Sequence, residues 1–230
     1  MKKKIIICLV ILAVLIIIGF LVYRNSNYCV DKIKEMLNSG KTSTNMHVSI
    51  EQTNLNDGKK YYLDLYRKDN LFYIIGKNDE SKVEQEILYN EKDEKTLTIL
   101  HEQKEIINSN QIENNISTYI FDSGKSNFLM LLDNTKGIKY KYHGKENVNG
   151  KECLKVSLID EKNEEKKSQN YYYIDLENNN VIKYEYYEGE SINELNKKHE
   201  ELYTYSYDTV TDDDILQFDI NNYPDYKYYE

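Results

Sequence analysis

Tryptophan is absent from this 230-residue chain, proline occurs once, glycine nine times and cysteine three times. So little proline and glycine argues against long disordered linkers, and the polar body reads as a folded domain, not a stalk. Three cysteines cannot build a disulfide framework. Cys8 lies in an apolar run, while Cys29 and Cys153 fall in different elements, so idle thiols are expected. Catalytic signatures are also missing: there is no H-E-x-x-H, no G-x-S-x-G, no phosphate-binding glycine loop and no C-x-x-C. His47, His101, His143 and His199 stand singly on separate strands, and are expected to be satisfied or exposed. Asp212 to Asp214 lack the EF-hand spacing with its glycine and distal glutamate, so helix capping is their expected role. No catalytic residue, metal or cofactor is assigned, although paired carboxylates from distant positions would leave no spacing signature.

A segregated basic patch is lacking too. Of 30 basic side chains, Lys2 to Lys4 precede the apolar run, which leaves 27 against 39 acids and a deficit of 12 in the body. That charge repels nucleic acid and anionic lipid, so nucleic acid is excluded as a partner. Mean hydropathy is -0.73 even with the apolar run included. The body's bulk comes from tyrosine, 23 residues against 5 phenylalanines, and tyrosine suits strands because its ring packs while its hydroxyl stays wet. The abundance of Asn, Lys, Ile and Tyr suggests an AT-rich genome, a bias that changes composition without function.

What is present begins with residues 5–23, IIICLVILAVLIIIGFLVY, uncharged and at about 1.5 Å per residue nearly long enough to cross a hydrocarbon core of roughly 30 Å. Lys2, Lys3 and Lys4 keep the N-terminus cytoplasmic by the positive-inside rule. The run ends without a small-residue cleavage site and without a lipobox cysteine. The expected organisation is a cytoplasmic tip at 1–4, an uncleaved single-pass anchor at 5–23, and an extracytoplasmic domain at 28–230.

Within the domain, Val30, Ile33, Met36 and Leu37 have helical spacing before Gly40. The period then changes to two. Strands are expected at Met46 to Ile50, Lys60 to Arg67, Leu71 to Gly76, Lys82 to Asn90 and Thr96 to Lys104, with short polar turns that imply an antiparallel meander. Ser126 to Leu132 reads as a short apolar helix on the sheet. Strands resume with Tyr140 and Tyr142, and a three-residue loop, Val148-Asn149-Gly150, would pair Val156 with Tyr142 and Leu158 with Tyr140. Tyr171 to Leu176, Val181 to Tyr187 and Leu202 to Tyr207 follow, then a capped turn at Asp212 to Leu216.

This order resembles the LolA-like superfamily, which includes lipoprotein carriers and periplasmic sensors of envelope stress. The carrying pieces are Val148-Asn149-Gly150-Lys151-Glu152-Cys153-Leu154-Lys155-Val156, Tyr172-Tyr173-Ile174-Asp175-Leu176 with Val181-Ile182-Lys183-Tyr184-Glu185, and Asp213-Asp214-Ile215-Leu216 before Tyr223-Pro224. The resemblance implies an α+β fold: one large curved antiparallel sheet, a half-barrel, covered on one face by helices, whose covered face holds an acyl chain or a partner's segment. It also implies a non-catalytic binding module, similar to the clostridial spore-germination branch that partners a cortex amidase. The expected partner is an envelope or spore-cortex protein, and the alternative is a lipid or lipoprotein acyl chain. Candidate contact residues are Phe128, Leu129, Leu131 and Leu132 on the central helix, with Tyr140 and Tyr142 on the next strand.

Overall fold

A computed structural model describes residues 15–16, 19, 29–109, 123–134, 137–161 and 165–230. The expected anchor lies outside them except for Leu15, Ile16 and Gly19, which are helical. Among the described residues no helix is long and apolar enough to cross a membrane. The chain divides into two units, residues 1–39 and 40–230. In the first, helix α1 (Val30–Asn38) buries Ile33 and Leu37, four residues apart and so on one side. It stops at Ser39, whose hydroxyl donates to the Met36 carbonyl at 2.8 Å, one residue before the expected glycine stop.

The second unit is built on one open sheet. Strands β1 (Asn45–Asn54), β2 (Lys60–Lys68), β3 (Leu71–Lys77), β4 (Val83–Asn90), β5 (Lys95–Leu100) and β6 (Glu105–Ser109) form one meander. Helix α2 (Ser123–Asn134) precedes a second, of β7 (Lys139–Val148), β8 (Lys151–Asp160), β9 (Lys167–Asp175), β10 (Val181–Gly189) and β11 (Asn196–Tyr207). Helix α3 (Asp212–Leu216), a 3-10 turn (Ile220–Asn222) and β12 (Lys227–Tyr229) complete the chain. The order across the sheet is β12-β6-β5-β4-β3-β2-β1-β11-β10-β9-β8-β7. The meanders join where β1 lies antiparallel to β11, Met46 opposite Tyr207; every pairing is antiparallel except β12 with β6.

Alternation sorts the side chains into two faces. Buried Met46, Val48 and Ile50 alternate with half-buried His47, Ser49 and Glu51 along β1, and the register carries this division through both meanders. Helices were expected on one face; the coverings lie on both. Helix α2 packs against β8 and β10 on one, the α2 face. After β11, Val210, Ile215 and Phe218 pack with Tyr73 and Ile75 of β3, whose register places them on the other, here the strap face. The reason is topological: the chain leaves β11 mid-sheet and must cross the first meander to lay β12 beside β6. The outward rings of β3 are what it covers.

Three local expectations also change. The expected strand Thr96 to Lys104 is broken by a turn at His101 to Lys104, which returns the chain as β6. No glycine, asparagine or proline marks that turn, and Lys104 itself takes φ +54°. The pairs Tyr142–Val156 and Tyr140–Leu158 are present, but through a two-residue turn at Asn149-Gly150, both at positive φ, and a register shift at His143. The extra residue sits in the strand and not in the loop. Strand β12 was not anticipated. At Asp212 to Leu216 the helical turn forms as expected, closed by a capping box between Thr211 and Asp214.

Candidate binding face

Helix α2 turns Gly124, Asn127, Phe128 and Leu131 to one side by spacing. Gly124 passes so close to β10 that a Cβ there would lie 2.8 Å from Cβ and Cγ1 of Val181. Phe128, with no exposed surface, meets the Tyr172 ring edge-on, centroids 5.1 Å apart at 86°. Asn127 Oδ1 accepts the Tyr172 hydroxyl at 2.5 Å. Burial holds that hydroxyl well above the usual tyrosine range, so it remains a donor. Tyr184, tilted against Tyr172, donates to Asn170 Oδ1 at 2.7 Å.

Two transverse rows form the floor. Tyr142, Val156, Tyr172, Tyr184, Glu201 and Gln52 stand opposite one another from β7 across to β1. Tyr140, Leu158, Asn170, Tyr186, His199 and Asn54 make the next. Both rows run from aromatic and aliphatic groups at β7 and β8 to hydrogen-bonding groups at β11. Glu201 accepts from Gln52 Nε2 at 3.1 Å, from His199 Nε2 at 2.9 Å and from the Tyr203 hydroxyl.

Of the residues singled out by sequence, Phe128 is a wholly buried wedge, and Leu129, Leu131 and Leu132 are half-buried. Tyr140 and Tyr142 are half-buried on β7 and share the α2 face. Met130, which sequence reasoning passed over, is 42% exposed between these leucines. The floor residues Tyr184, His199, Glu201 and Gln52 were also missed, because strand register alone brings them together.

The histidines each have a polar partner: His47 with Asp64, His101 with Glu86, His143 with Ser157, and His199 with Glu201. His143 is held below its ordinary pKa by burial and then by Lys141 and Lys155. Its partner Ser157 has no exposed surface and is sealed from any substrate. Among the described residues no group of three or more His, Cys, Asp or Glu is arranged to hold a metal. Cys29 and Cys153 are free thiols, and burial pushes Cys153 up to about 11.

On the strap face lies a carboxylate with no counterpart in the sequence reading. Glu86, 6% exposed, accepts from Tyr223 at 2.7 Å, from His101 Nε2 at 2.8 Å and from the Tyr73 hydroxyl. It ties the segment after β11 to the first meander.

No family model and no curated protein matches this chain. Solved structures do. An uncharacterized conserved protein from Thermus thermophilus superposes with a TM-score of 0.52 at 8% identity, covering 86% of this chain and 98% of that one. MucB superposes with a TM-score of 0.50 at 8% identity, over 80% of this chain and 61% of MucB, so the chain spans less than two thirds of that protein. The fold is LolA-like. A LolA superfamily protein from Nitrosomonas europaea also matches at 11% identity, over 82% of this chain and 97% of that one, with a looser TM-score of 0.32. At such identities the LolA-like sheet is what is shared, and function has to be argued from the faces.

Proposed function

We propose that this chain is a membrane-tethered extracytoplasmic binding module whose α2 face docks a segment of an envelope protein, with no reaction of its own. The tether is the apolar run at 5–23, and the body is outside. The observation that carries the reading is the filled floor under α2. Phe128 is seated on Tyr172, Tyr172 donates to Asn127, Tyr184 donates to Asn170, and Glu201 accepts from both Gln52 and His199. An acyl chain wants an aliphatic cavity, whereas aromatic rims with satisfied polar groups suit a polypeptide. MucB has been solved in complex with MucA, a protein partner for a related sheet. A spore-cortex partner is a narrower form of the same proposal and rests on composition.

The second reading is an acyl ligand, favoured by exposed Met130 beside half-buried Leu129 and Leu132. One experiment separates them. A photo-crosslinking residue placed at Met130 or Leu132 of the full chain in its own membranes is expected to yield a polypeptide adduct that also forms at Tyr142. Adducts of lipid mass alone would overturn the protein reading.

A further inference from the structure

Lysine occurs 28 times in this chain and arginine twice, at Arg24 and Arg67. Arg67 is therefore the one guanidinium within residues 28–230, and its position is unusual. It is half-buried on β2, opposite Met46 on one side and Phe72 on the other, and so lies on the α2 face. Its guanidinium carbon sits 5.0 Å from the centre of the Phe72 ring, which stacks in turn on Tyr89, centroids 5.5 Å apart. Its sole described hydrogen bond is a long one, Nε to the Asp69 carbonyl at 3.5 Å. Among the described residues no carboxylate meets it, in a body with 12 more acids than bases.

A second cation repeats the arrangement. Lys41 Nζ stands 4.1 Å over the Tyr207 ring, and Tyr207 heads a stack with Tyr205 and Tyr203, each pair 6.4 Å apart. Lys41 too has no described carboxylate partner. Tyr207 and Arg67 are both opposite Met46, so the two cation-capped stacks end in one row of the α2 face. Two to three strand spacings of about 4.8 Å put the two charges roughly 10–15 Å apart. The lysines of the neighbouring lattice differ: Lys155, Lys183 and Lys197 are each neutralised by Glu146, Glu185 or Glu200.

We propose that Arg67 and Lys41 form an anion-recognition pair for an acidic segment of the partner protein. An extended chain rises about 3.3 Å per residue and alternates its side chains, so the segment carries two carboxylates four residues apart, about 13 Å, on one side. Arg67 takes one bidentately, its fork pre-set by the Phe72 ring, and Lys41 takes the other as a point charge. Charge complementarity selects this occupant: in so acidic a body, an acidic chain is repelled everywhere except at such a place. The inference rests on the docking reading above and adds to it the partner's chemistry.

The test uses the full chain in nanodiscs and two synthetic extended peptides, one with two aspartates four residues apart and its asparagine counterpart. The aspartate peptide is expected to bind at least tenfold more tightly, with affinity falling as salt rises. Arg67→Gln and Lys41→Gln should each weaken it at least fivefold, Arg67→Lys should recover it only in part, and Lys155→Gln should change nothing. Equal binding of the two peptides, or indifference to Arg67→Gln in a protein with unchanged circular dichroism, would overturn the pair. Arg67-dependent flotation with phosphatidylglycerol vesicles, without peptide discrimination, would overturn it in favour of a lipid headgroup. None of these failures touches the crosslinking result at Met130, so the docking reading stands or falls separately.

Discussion

Glu86 and Glu185 are the same device in two settings. Each is a buried carboxylate on the strap face, and each is reached diagonally by a tyrosine of the neighbouring strand, Tyr73 from β3 and Tyr173 from β9. Their other partners differ. Glu185 has Lys183 at 2.9 Å and Lys197 at 2.8 Å, both from its own hairpin and both shared with Glu200. Glu86 has His101 from the turn between β5 and β6, and Tyr223 from 137 residues away. In the second meander the carboxylate is neutralised locally and needs no distant segment. In the first it is a tie point, joining strand, turn and terminal segment, and its donors are mostly neutral groups. A buried carboxylate can thus serve either to balance a face or to close a topology.

The largest effect expected from this contrast is at Glu86. Glu86→Leu leaves the buried Tyr73, Tyr223 and His101 donors without an acceptor, at a cost of about 3 kcal/mol in chemical denaturation. Hydrogen exchange over residues 210–229 should accelerate with it. Retained protection of the terminal segment would show that Val210, Ile215 and Phe218 hold the strap without the carboxylate.

A smaller change sharpens the same point. Tyr223→Phe removes one donor and leaves Glu86 two, so about 1 kcal/mol is expected, with exchange loosened only from the 3-10 turn onward. Tyr173→Phe in the second meander should cost a similar amount and loosen no distant segment. If it frees the strap as well, the two carboxylates are coupled and the contrast is wrong.

Much of the fold was legible before any coordinates, because period-two alternation and short polar turns are local. The meanders and the Tyr142–Val156 pairing followed from it, and the helices followed from helical spacing and an apolar cluster. What stayed hidden lies either in atypical turn chemistry or in chain that returns from far away. The turn at His101 to Lys104 carries no conventional turn residue, and a lysine supplies the positive φ. Strand β12 pairs three exposed residues with a strand more than a hundred positions earlier, and no alternation in Lys227-Tyr228-Tyr229 announces it. The candidate face divides in the same way. Phe128 was visible as the centre of an apolar cluster, but its seat on Tyr172, the Glu201 donors and the ring beneath Arg67 are products of register across strands.

The smallest effect concerns Glu185 and is resolved best by acid. Burial by itself raises this carboxyl, but hydrogen bonds from Lys197, Lys183 and Tyr173 outweigh it and hold it at about 2, against an ordinary 4.5. The unfolded chain therefore takes up the proton first as pH falls. The stabilisation is complete above about pH 4.5 and is lost as pH falls toward 2. Glu185→Gln keeps the shape and leaves both lysines on Glu200, so at pH 6 it should cost only about 0.5 kcal/mol. That difference from the parent should shrink steadily between pH 4.5 and 2 and vanish at the acid end. A difference that stays constant with pH would mean that packing around Tyr173 carries the second meander's node. The ion pairs would then be surface decoration, and the two carboxylates would differ only in what lies over them.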